Sequence, residues 1–417
     1  MRGCQAADFS VLQRRQRAYA GLDGGLKLSL GSHGFLRKTA RMSFSQHFDA
    51  LDARPSPVVE RFAALLQPKT DQALAAMATE SRQVTRRNFG RTMRLFAPLY
   101  LSNECVNNCK YCGFSRDNPI LRVTLTIEQV VTEARHLVAQ GFRNILLVAG
   151  EHPRFVSEGY LEECIRALRE FVPALGIEVG PMERPEYERM VTAGCEGLVV
   201  YQETYDRTVY AQMHTAGPKR DFDWRLDCPE RGCDAGFRRI GIGALFGLTE
   251  WKREAMRLAS HLDYLYKHHW KAFYTVAFPR LRPAAGGFKP EHAFTDRELL
   301  QTICAFRLTF PEVGIVLSTR EPAPLRDALA TVGITMMSAG SHTEPGGYTG
   351  QGTDDLHLTV KGKRVEREET KACDRAEGQF GIADERSPSE VADILRKHGL
   401  DPVWKDWDAA ILSEAAA

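Results

Sequence analysis

The chain has 417 residues, 43% of them hydrophobic, and its 55 basic and 53 acidic residues give a net charge of +2. This near-neutral balance excludes the basic surface typical of nucleic-acid-binding proteins, and no apolar run approaches the ~20 residues of a membrane-spanning helix. Ten cysteines in a chain this long do not form the framework of a small secreted disulfide protein, so we expect a reducing, cytoplasmic location.

Residues 1–41 differ from the rest of the chain, because they are basic and glycine-rich and contain few acidic residues. An organellar transit peptide has such a composition, and so does a disordered extension that precedes a true start at Met42. We favour the extension. Residues 42–97 have a helical pattern, and we expect them to cap the fold.

Short apolar segments then alternate with amphipathic helical stretches. Each helical stretch separates two apolar segments, a pattern that predicts parallel strands covered by helices. The predicted strands are 98–102, 144–151, 177–181, 197–203, 239–247, 272–279, 314–321 and 334–340. Eight strands close a (βα)8 TIM-type barrel, which we assign to residues 98–343. An open doubly wound sheet is the alternative, but "GIGALFG" does not match its glycine fingerprint.

Helix boundaries are predicted at two places in particular. Thr126 is a suitable N-cap for the helix "TIEQVVTEARHLVAQG", which should end at Gly141. Residues 344–417 should form a segment that packs on the barrel. Within this segment we expect a long loop over 345–375, and a helix over 387–400 that is capped by Ser389.

Three cysteines stand within eight positions in "NECVNNCKYCGF", directly after the first predicted strand. A loop there lies at the C-terminal face of a barrel, where such enzymes keep their active sites. C-x3-C-x2-C can place three thiolates on three corners of a [4Fe–4S] cubane and leave the fourth iron open. An open iron can bind a small molecule that carries amino and carboxylate groups.

Simpler interpretations of the cysteines are less well supported. A zinc site needs a fourth ligand, and the next histidine, His136, lies in a predicted helix. The other cysteines, including the pair in "CPERGC" (Cys228 and Cys233), are expected to be ordinary buried thiols rather than a second metal site.

The motif "CVNNCKYC" is similar to the C-x3-C-x-aromatic-C motif of the radical SAM superfamily. The stretch "PLYLSNECVNNCKYCGFSRDN" resembles, within that superfamily, the tyrosine lyases of thiamine biosynthesis, the 2-iminoacetate synthases (ThiH). The resemblance extends from residue 42 to residue 408 and recurs in "GEHP", "VVYQETY", "DFDWRLD", "FPRLRP" and "EPGGY".

The resemblance implies that Cys105, Cys109 and Cys112 bind the [4Fe–4S] cluster and that S-adenosyl-L-methionine (SAM) binds the fourth iron. It implies further cofactor contacts from residues near the cysteines and at strand ends. These candidates are Tyr111 beside the adenine, Gly150 and Glu151 at the SAM amino group, and Gln202 or Glu203 at the ribose. Tyr111 has ordinary packing as its alternative role, and Glu151 has capping of the following helix.

The substrate of such an enzyme is an amino acid, whose carboxylate needs a cation. Arginine offers a two-pronged donor for a carboxylate. "LSTRE" places Ser318 and Arg320 on one face of the seventh strand by the two-residue period, and Arg280 at the end of the sixth strand is the competing candidate. Either arginine could instead form a surface salt bridge. Residues 342–348, "HTEPGGY", should form a lid or a plain glycine turn.

The resemblance also implies the reaction. An electron splits SAM into methionine and a 5′-deoxyadenosyl radical, the radical takes a hydrogen from L-tyrosine, and the Cα–Cβ bond breaks. The products are 2-iminoacetate and p-cresol. The expected partners are the thiazole synthase ThiG and a reductant of flavodoxin or ferredoxin type.

Two other functions fit part of the sequence. A HydG-like tyrosine lyase carries a second cluster on a C-terminal C-x2-C, and this sequence has no cysteine after Cys373. A related lyase for another aromatic amino acid, without that second cluster, remains the alternative. A non-catalytic metal-binding module would explain the cysteines but not Glu151 or the polar strand ends.

Overall fold

In the computed structural model, which describes residues 42–51, 55–366 and 374–404, three helices precede the first strand. They are α1 (Phe44–Leu51), α2 (Pro57–Leu65) and α3 (Asp71–Phe89). The predicted helical segment 42–97 is too long. Helix α3 ends at Gly90, whose φ of 63° suits glycine, and a strand begins two residues later. The prediction for residues 1–41 lies outside the described residues.

Eight parallel strands form a closed barrel, as predicted. The sheet order is β11-β10-β9-β8-β6-β5-β4-β1, and the pairing of β1 with β11 closes it. The barrel strands are β1 (Thr92–Ser102), β4 (Asn144–Ala149), β5 (Ala174–Glu178), β6 (Gly197–Glu203), β8 (Arg239–Ala244), β9 (Phe273–Ala277), β10 (Gly314–Leu317) and β11 (Met336–Ser338).

Helices lie between successive barrel strands. Helix α4 (Ile127–Ala139) illustrates why they form, because the predicted N-cap Thr126 builds a capping box with Gln129. Val130, Ala134 and Leu137 are buried on its inner face. The other helices of this part are α5 (Glu158–Arg169), α6 (Arg184–Ala193), α7 (Arg207–Met213), α8 (Phe222–Leu226), α9 (Cys228–Ala235), α10 (Trp251–His268), α11 (Asp296–Thr309) and α12 (Ala323–Ala330).

Two small antiparallel sheets lie beside the barrel. Strand β2 (Asn108–Cys109) pairs with β7 (His214–Ala216). Strand β3 (Ile120–Arg122) pairs with β12 (His357–Val360), which forms a hairpin with β13 (Lys363–Val365). The predicted loop over 345–375 is therefore wrong in part, because "HLTV" and "KRV" flank a two-residue turn.

The C-terminal segment returns to the barrel through helix α13 (Pro388–Lys397) and strand β14 (Asp401–Val403), which pairs with β1. The N-cap of α13 is Ser387 and not Ser389, because Pro388 occupies the first helical position and Glu390 completes a capping box with Ser387. In the part of the chain that the structure describes, every helix is too short or too polar to cross a bilayer.

Candidate active site

The three clustered cysteines lie in the loop that leaves the C-terminal end of β1, as the sequence predicts. Cys109 is buried in β2, and Cys105 and Cys112 are partly exposed. All three are free thiols. The loop turns back at Cys112, whose amide N–H donates to the carbonyl of Cys109 at 3.2 Å. Three reactive groups therefore share one short turn at the mouth of the barrel.

Burial and mutual proximity favour the neutral form of these thiols. Burial, reinforced by Cys105, raises the pKa of Cys112 to about 11. Burial also raises the pKa of Cys109 and of Cys105. Lys219 acts against burial, since it lowers the pKa of each of the three. A thiolate here needs positive charge nearby, and a bound metal supplies it.

The donor set suits a cluster better than a single ion. Within residues 42–51, 55–366 and 374–404, no three His, Cys, Asp or Glu side chains converge on one point as ligands of a single metal ion. An iron–sulfur cluster makes a different demand, because each thiolate binds its own iron. Cys105 and Cys112 both raise the pKa of Cys109 through their charge, so the three thiols interact electrostatically.

A buried arginine that the sequence analysis missed holds the loop in shape. Arg122 is 1% exposed, and its guanidinium donates to the carbonyls of Asn103, Phe114 and Ser115. These carbonyls flank the cysteines on both sides. The Nε–H of Arg122 donates to Thr359 Oγ1 at 2.6 Å. Nothing in the local sequence signals this role, because its partners come from two separate stretches of the chain.

Gly150 and Glu151 meet the cysteine loop at the end of β4. A Cβ on Gly150 would lie 2.2 Å from the carbonyl oxygen of Glu104, so only glycine allows this approach. Glu151 Oε2 accepts a hydrogen bond of 2.6 Å from Asn107 Nδ2. Glu151 does not cap the next helix, because Ser157 is the N-cap of α5.

Glu203 and Gln202, at the end of β6, have different partners. The carboxylate of Glu203 lies 2.7 Å from Lys219 Nζ and 3.6 Å from Arg225 Nη2. Burial raises the pKa of Glu203, but the two cations outweigh burial and hold the pKa below its usual range. Gln202 instead donates to the carbonyl of Phe222 in α8, away from the ion pairs of Glu203.

Glu203 also has a strained backbone. Its φ is 70°, a left-handed conformation that is uncommon for residues other than glycine. Such strain persists where the surroundings fix a side chain, and it concentrates at functional sites. The ion pairs with Lys219 and Arg225 supply that fixation.

Tyr111 lies on the barrel side of the cysteine loop and is 9% exposed. Its hydroxyl is 2.7 Å from His214 Nε2, and Lys219 Nζ is 5.7 Å from the centre of its ring. Burial and the charge of Lys219 together lower the pKa of His214 to about 3, so the imidazole is neutral. His214 Nδ1 is 2.9 Å from the carbonyl of Tyr210 and can only donate to it, which leaves Nε2 to accept from Tyr111.

The two candidate arginines differ in their ion-pair partners. Arg280 forms ion pairs with Glu321 and with Asp296, the second at 2.7 Å. Arg320 has no ion-pair partner within the described residues. Its guanidinium carbon lies 3.3 Å from the centre of the Phe380 ring, and one N–H reaches the carbonyl of Arg280 at 3.4 Å. Arg320 is therefore free to bind an anion, and Arg280 is not.

Arg320 and Ser318 line a cavity in the barrel. Aromatic residues form much of its wall: Phe96, Tyr100, Tyr201, Phe278 and Phe380. Gln379 also lines the cavity and accepts a hydrogen bond of 2.8 Å from the hydroxyl of Tyr100. Gln379 and Phe380 were missed by the sequence analysis, because the C-terminal segment brings them in from outside the barrel strands.

Glu178, at the end of β5, contributes a carboxylate to the same cavity and was also missed. No hydrogen-bond or ion-pair partner of this carboxylate lies within the described residues. Burial, reinforced by Glu203 and opposed by Arg320, raises its pKa to about 7. A signal was present in the sequence, because Glu178 is a charged residue inside the apolar strand "IEVGP".

The predicted lid over 342–348 is anchored to the barrel. The hydroxyl of Tyr348 donates to the carbonyl of Pro98 at 2.6 Å, and its amide N–H donates to Glu133. Gly346 has a φ of 73°, as a glycine turn requires. Only Thr343 of this segment lines the cavity.

Comparison with known proteins gives a consistent result. Residues 99–259 match the Radical SAM superfamily, and residues 277–401 match the Biotin and Thiamin Synthesis associated domain. The chain is 42% identical over 347 residues to 2-iminoacetate synthase of Escherichia coli, which covers 83% of this chain and 86% of that one. The enzyme of the same name from Salmonella typhimurium is 41% identical over the same shares.

Among solved structures, the FeFe-hydrogenase maturase HydG from Carboxydothermus hydrogenoformans is similar to this chain with a TM-score of 0.73 and 34% identity. The match covers 87% of this chain and 80% of that one.

Proposed function

Because the chain belongs to the radical SAM superfamily and, within it, to the family of the 2-iminoacetate synthases, we propose that its substrate is L-tyrosine. The enzyme breaks the Cα–Cβ bond of tyrosine and releases 2-iminoacetate and p-cresol. SAM is converted to 5′-deoxyadenosine and methionine. The 2-iminoacetate serves the biosynthesis of the thiazole of thiamine.

The observation that carries this proposal is the pair of unpartnered charges in the barrel cavity. Tyrosine is a zwitterion with an aromatic ring and a hydroxyl. Arg320 offers its carboxylate a two-pronged donor, and Ser318 lines the cavity beside it. Glu178 offers an acceptor to an N–H or O–H group of the substrate. The aromatic walls suit the phenol ring.

Cys105, Cys109 and Cys112 would hold a [4Fe–4S] cluster, each thiolate on one iron, with the remaining iron open to SAM. When bound, the cluster and SAM supply the radical chemistry that removes a hydrogen atom from the substrate. Glu151 and Glu203 would orient SAM, since an ammonium and ribose hydroxyls both donate to carboxylates. Tyr111 would pack against the adenine, with its hydroxyl held by His214.

The contribution of the chain itself is to hold the substrate and to exclude water. Phe380 covers Arg320 on one side, so the guanidinium meets the substrate carboxylate away from bulk solvent. An ion pair is stronger in such a site than in water. Lys219 keeps Glu203 ionised and also favours the ionised form of the cysteines, so one cation acts on both Glu203 and the cysteine loop.

The partners and the location follow from this chemistry. A reactive imine needs a receiver, for which we propose the thiazole synthase ThiG. Each turnover also needs two electrons from a flavodoxin or ferredoxin, one to split SAM and one, with a proton, to complete p-cresol after the Cα–Cβ bond breaks. We propose the cytoplasm as the location. The cysteines of the described residues are free thiols, which fits a reducing compartment.

The direct test is an anaerobic incubation of the cluster-loaded protein with SAM, dithionite and tyrosine, followed by chromatography for p-cresol. We expect p-cresol and 5′-deoxyadenosine in equal amounts. A protein that cleaves SAM but releases no p-cresol from tyrosine would contradict the proposed substrate. Testing phenylalanine and tryptophan in parallel would then identify another aromatic amino acid lyase.

A further inference from the structure

The β12–β13 hairpin carries a group of basic residues that the proposed reaction does not use. Lys361, Lys363 and Arg364 are exposed at its turn and along β13. We call these three residues the hairpin patch. Together they place three positive charges within four positions. Glu366, also exposed, follows the hairpin.

The hairpin is fixed to the cysteine loop. Thr359 of β12 accepts the 2.6 Å hydrogen bond from Arg122, the residue that holds the carbonyls on both sides of the cysteines. His357 Nε2 lies 2.7 Å from Glu104 Oε1, one residue before Cys105. The turn also touches the loop, since a Cβ on Gly362 would lie 2.7 Å from Arg116 Cγ. The hairpin patch therefore stands directly beside the loop that holds the cluster.

The three cations of the patch have no carboxylate partner within the described residues. Arg116 beneath them differs, because it pairs with Asp117 at 3.0 Å. Lys110, in the cysteine loop itself, is also exposed and lacks such a partner in the described part of the chain. Unneutralised charge on a surface attracts an oppositely charged partner and speeds its association.

The turn of the hairpin is strained at Lys361. Lys361 and Gly362 have φ angles of 50° and 72°, so both central residues of this two-residue turn are left-handed. Turns of this kind favour Asn-Gly, because asparagine tolerates positive φ better than lysine does. The chain keeps a lysine where asparagine would fold more easily. A strained residue of this kind indicates a use for its side chain.

We propose that the hairpin patch is the docking surface for an acidic one-electron carrier protein of flavodoxin or ferredoxin type. The carrier would be oxidised by one electron, and the cluster held by the adjacent loop would take up that electron. This inference rests on the proposed function for the need of a reductant, and on the hairpin for the place and charge of the contact.

The test compares two charge-reversed variants. The first carries Lys361→Glu, Lys363→Glu and Arg364→Glu. The matched control carries Arg87→Glu, Lys271→Glu and Lys397→Glu, three exposed residues near the N-terminal ends of barrel strands, away from the cysteine loop. Calorimetry measures binding of oxidised flavodoxin to each cluster-loaded protein at low ionic strength. Turnover is then driven by reduced flavodoxin in one arm and by dithionite in another.

We expect the hairpin variant to bind flavodoxin at least ~10-fold more weakly than the wild type, with a smaller effect of added salt on binding. Its flavodoxin-driven turnover should fall, while its dithionite-driven turnover and the control variant stay unchanged. Equal flavodoxin binding by the hairpin variant and the wild type would overturn the proposal. So would normal flavodoxin binding together with impaired delivery to the thiazole synthase, because the patch would then serve that partner.

A single variant separates the role of the charge from the fold of the turn. Lys361→Asn removes one charge and relieves the strained φ, so we expect an unchanged or higher melting temperature together with weaker flavodoxin binding. A higher melting temperature without any change in binding would contradict a role for Lys361 in docking. If the wild type makes no p-cresol with dithionite, the proposed function fails, whereas the binding measurements still decide the docking surface.

Discussion

Buried charged side chains have hydrogen-bond partners around the cysteine loop but lack charged partners in the barrel cavity. In the loop, Arg122 donates to three carbonyls and a hydroxyl, and Glu151 accepts from Asn107. In the cavity, Arg320 and Glu178 have no charged partner at hydrogen-bond distance within the described residues. Burying an unpaired charge costs roughly several kcal/mol. Arg122 is therefore scaffold, whereas the unpaired charges of the cavity mark where the substrate completes the structure.

Two arginines at neighbouring strand ends show the same contrast at close range. Arg280 and Arg320 follow β9 and β10, which are paired in the barrel. Arg280 is held between Glu321 and Asp296, whereas Arg320 faces the cavity. Residue type and position at a strand end do not distinguish them. The difference is that the guanidinium of Arg280 already forms ion pairs with carboxylates of the chain.

The largest effect is expected from Cys109→Ser, which removes one ligand of the loop. A serine hydroxyl does not replace a thiolate on iron, so cluster content and SAM cleavage should both be lost. Iron and sulfide analysis and an assay for 5′-deoxyadenosine measure this. Cys195→Ser is a matched control, because Cys195 is also buried and lies 3.5 Å from two carbonyls to which serine can donate. A Cys109→Ser protein that still makes 5′-deoxyadenosine would place the cluster elsewhere.

The next effect is expected from Arg320→Ala. Losing a charge-assisted contact to the substrate carboxylate costs roughly 1.5–3 kcal/mol, so the KM for tyrosine should rise about 10- to 100-fold. The slow cleavage of SAM without substrate should remain as in the wild type, because Arg320 is not part of the cysteine loop. Steady-state rates of p-cresol formation across tyrosine concentrations measure the change. An unaltered KM would mean that another group binds the carboxylate.

A smaller, pH-dependent effect is expected from Glu178→Gln. Burial raises the pKa of Glu178 to about 7, so the carboxylate forms only as the pH rises through that value. In the wild type the KM for tyrosine should therefore fall between pH 6 and pH 8, and in the variant it should stay flat. A KM profile that is the same in both proteins would remove Glu178 from the substrate site.

The same substitution has a predicted effect on stability. A carboxyl whose pKa is higher in the folded chain than in the unfolded chain binds its proton more tightly when folded. The free energy of unfolding therefore falls as the pH rises from the unfolded value, near 4.3, towards 7. Glu178→Gln should remove this loss and make the protein more stable than the wild type at pH 8. Denaturant unfolding at pH 5 and pH 8 measures the difference.

The smallest effect on catalysis is expected when Arg280 and Glu321 are both changed to glutamine. Removing both charges of a buried pair is far less costly than stranding one of them. The KM for tyrosine should stay within about twofold of the wild-type value, because the N–H groups of Arg280 already bind carboxylates of the chain. A rise in KM similar to that of Arg320→Ala would mean that Arg280 also binds the substrate, contrary to the difference proposed between the two arginines.

The sequence alone predicts the parts of this molecule that depend on local pattern. Strand periodicity locates the eight barrel strands, and the spacing of Cys105, Cys109 and Cys112 predicts the metal loop. The two-residue period also places Ser318 and Arg320 together, and the structure has both in the cavity. Gln202 and Glu203 could not be assigned a direction from the sequence, and only Glu203 joins the charged group beside the loop.

Residues whose role depends on distant neighbours could not be predicted. Arg122 works through Thr359, far along the chain, and Phe380 reaches Arg320 from the C-terminal segment. The pairing of Arg280 with Glu321 likewise follows from the packing of two strands. Pattern reasoning assigns residue types to strand ends, but it does not reveal which charges are already neutralised there.

The account depends most on Arg320 binding the carboxylate of tyrosine, and comparing tyrosine with tyramine, which lacks that carboxylate, tests it directly. Calorimetry under anaerobic conditions would measure the binding of both compounds to the cluster-loaded wild type and to Arg320→Ala. The account predicts that the wild type binds tyrosine at least ~10-fold more tightly than tyramine and that the variant binds the two about equally. A preference for tyrosine that persists undiminished in Arg320→Ala would contradict it.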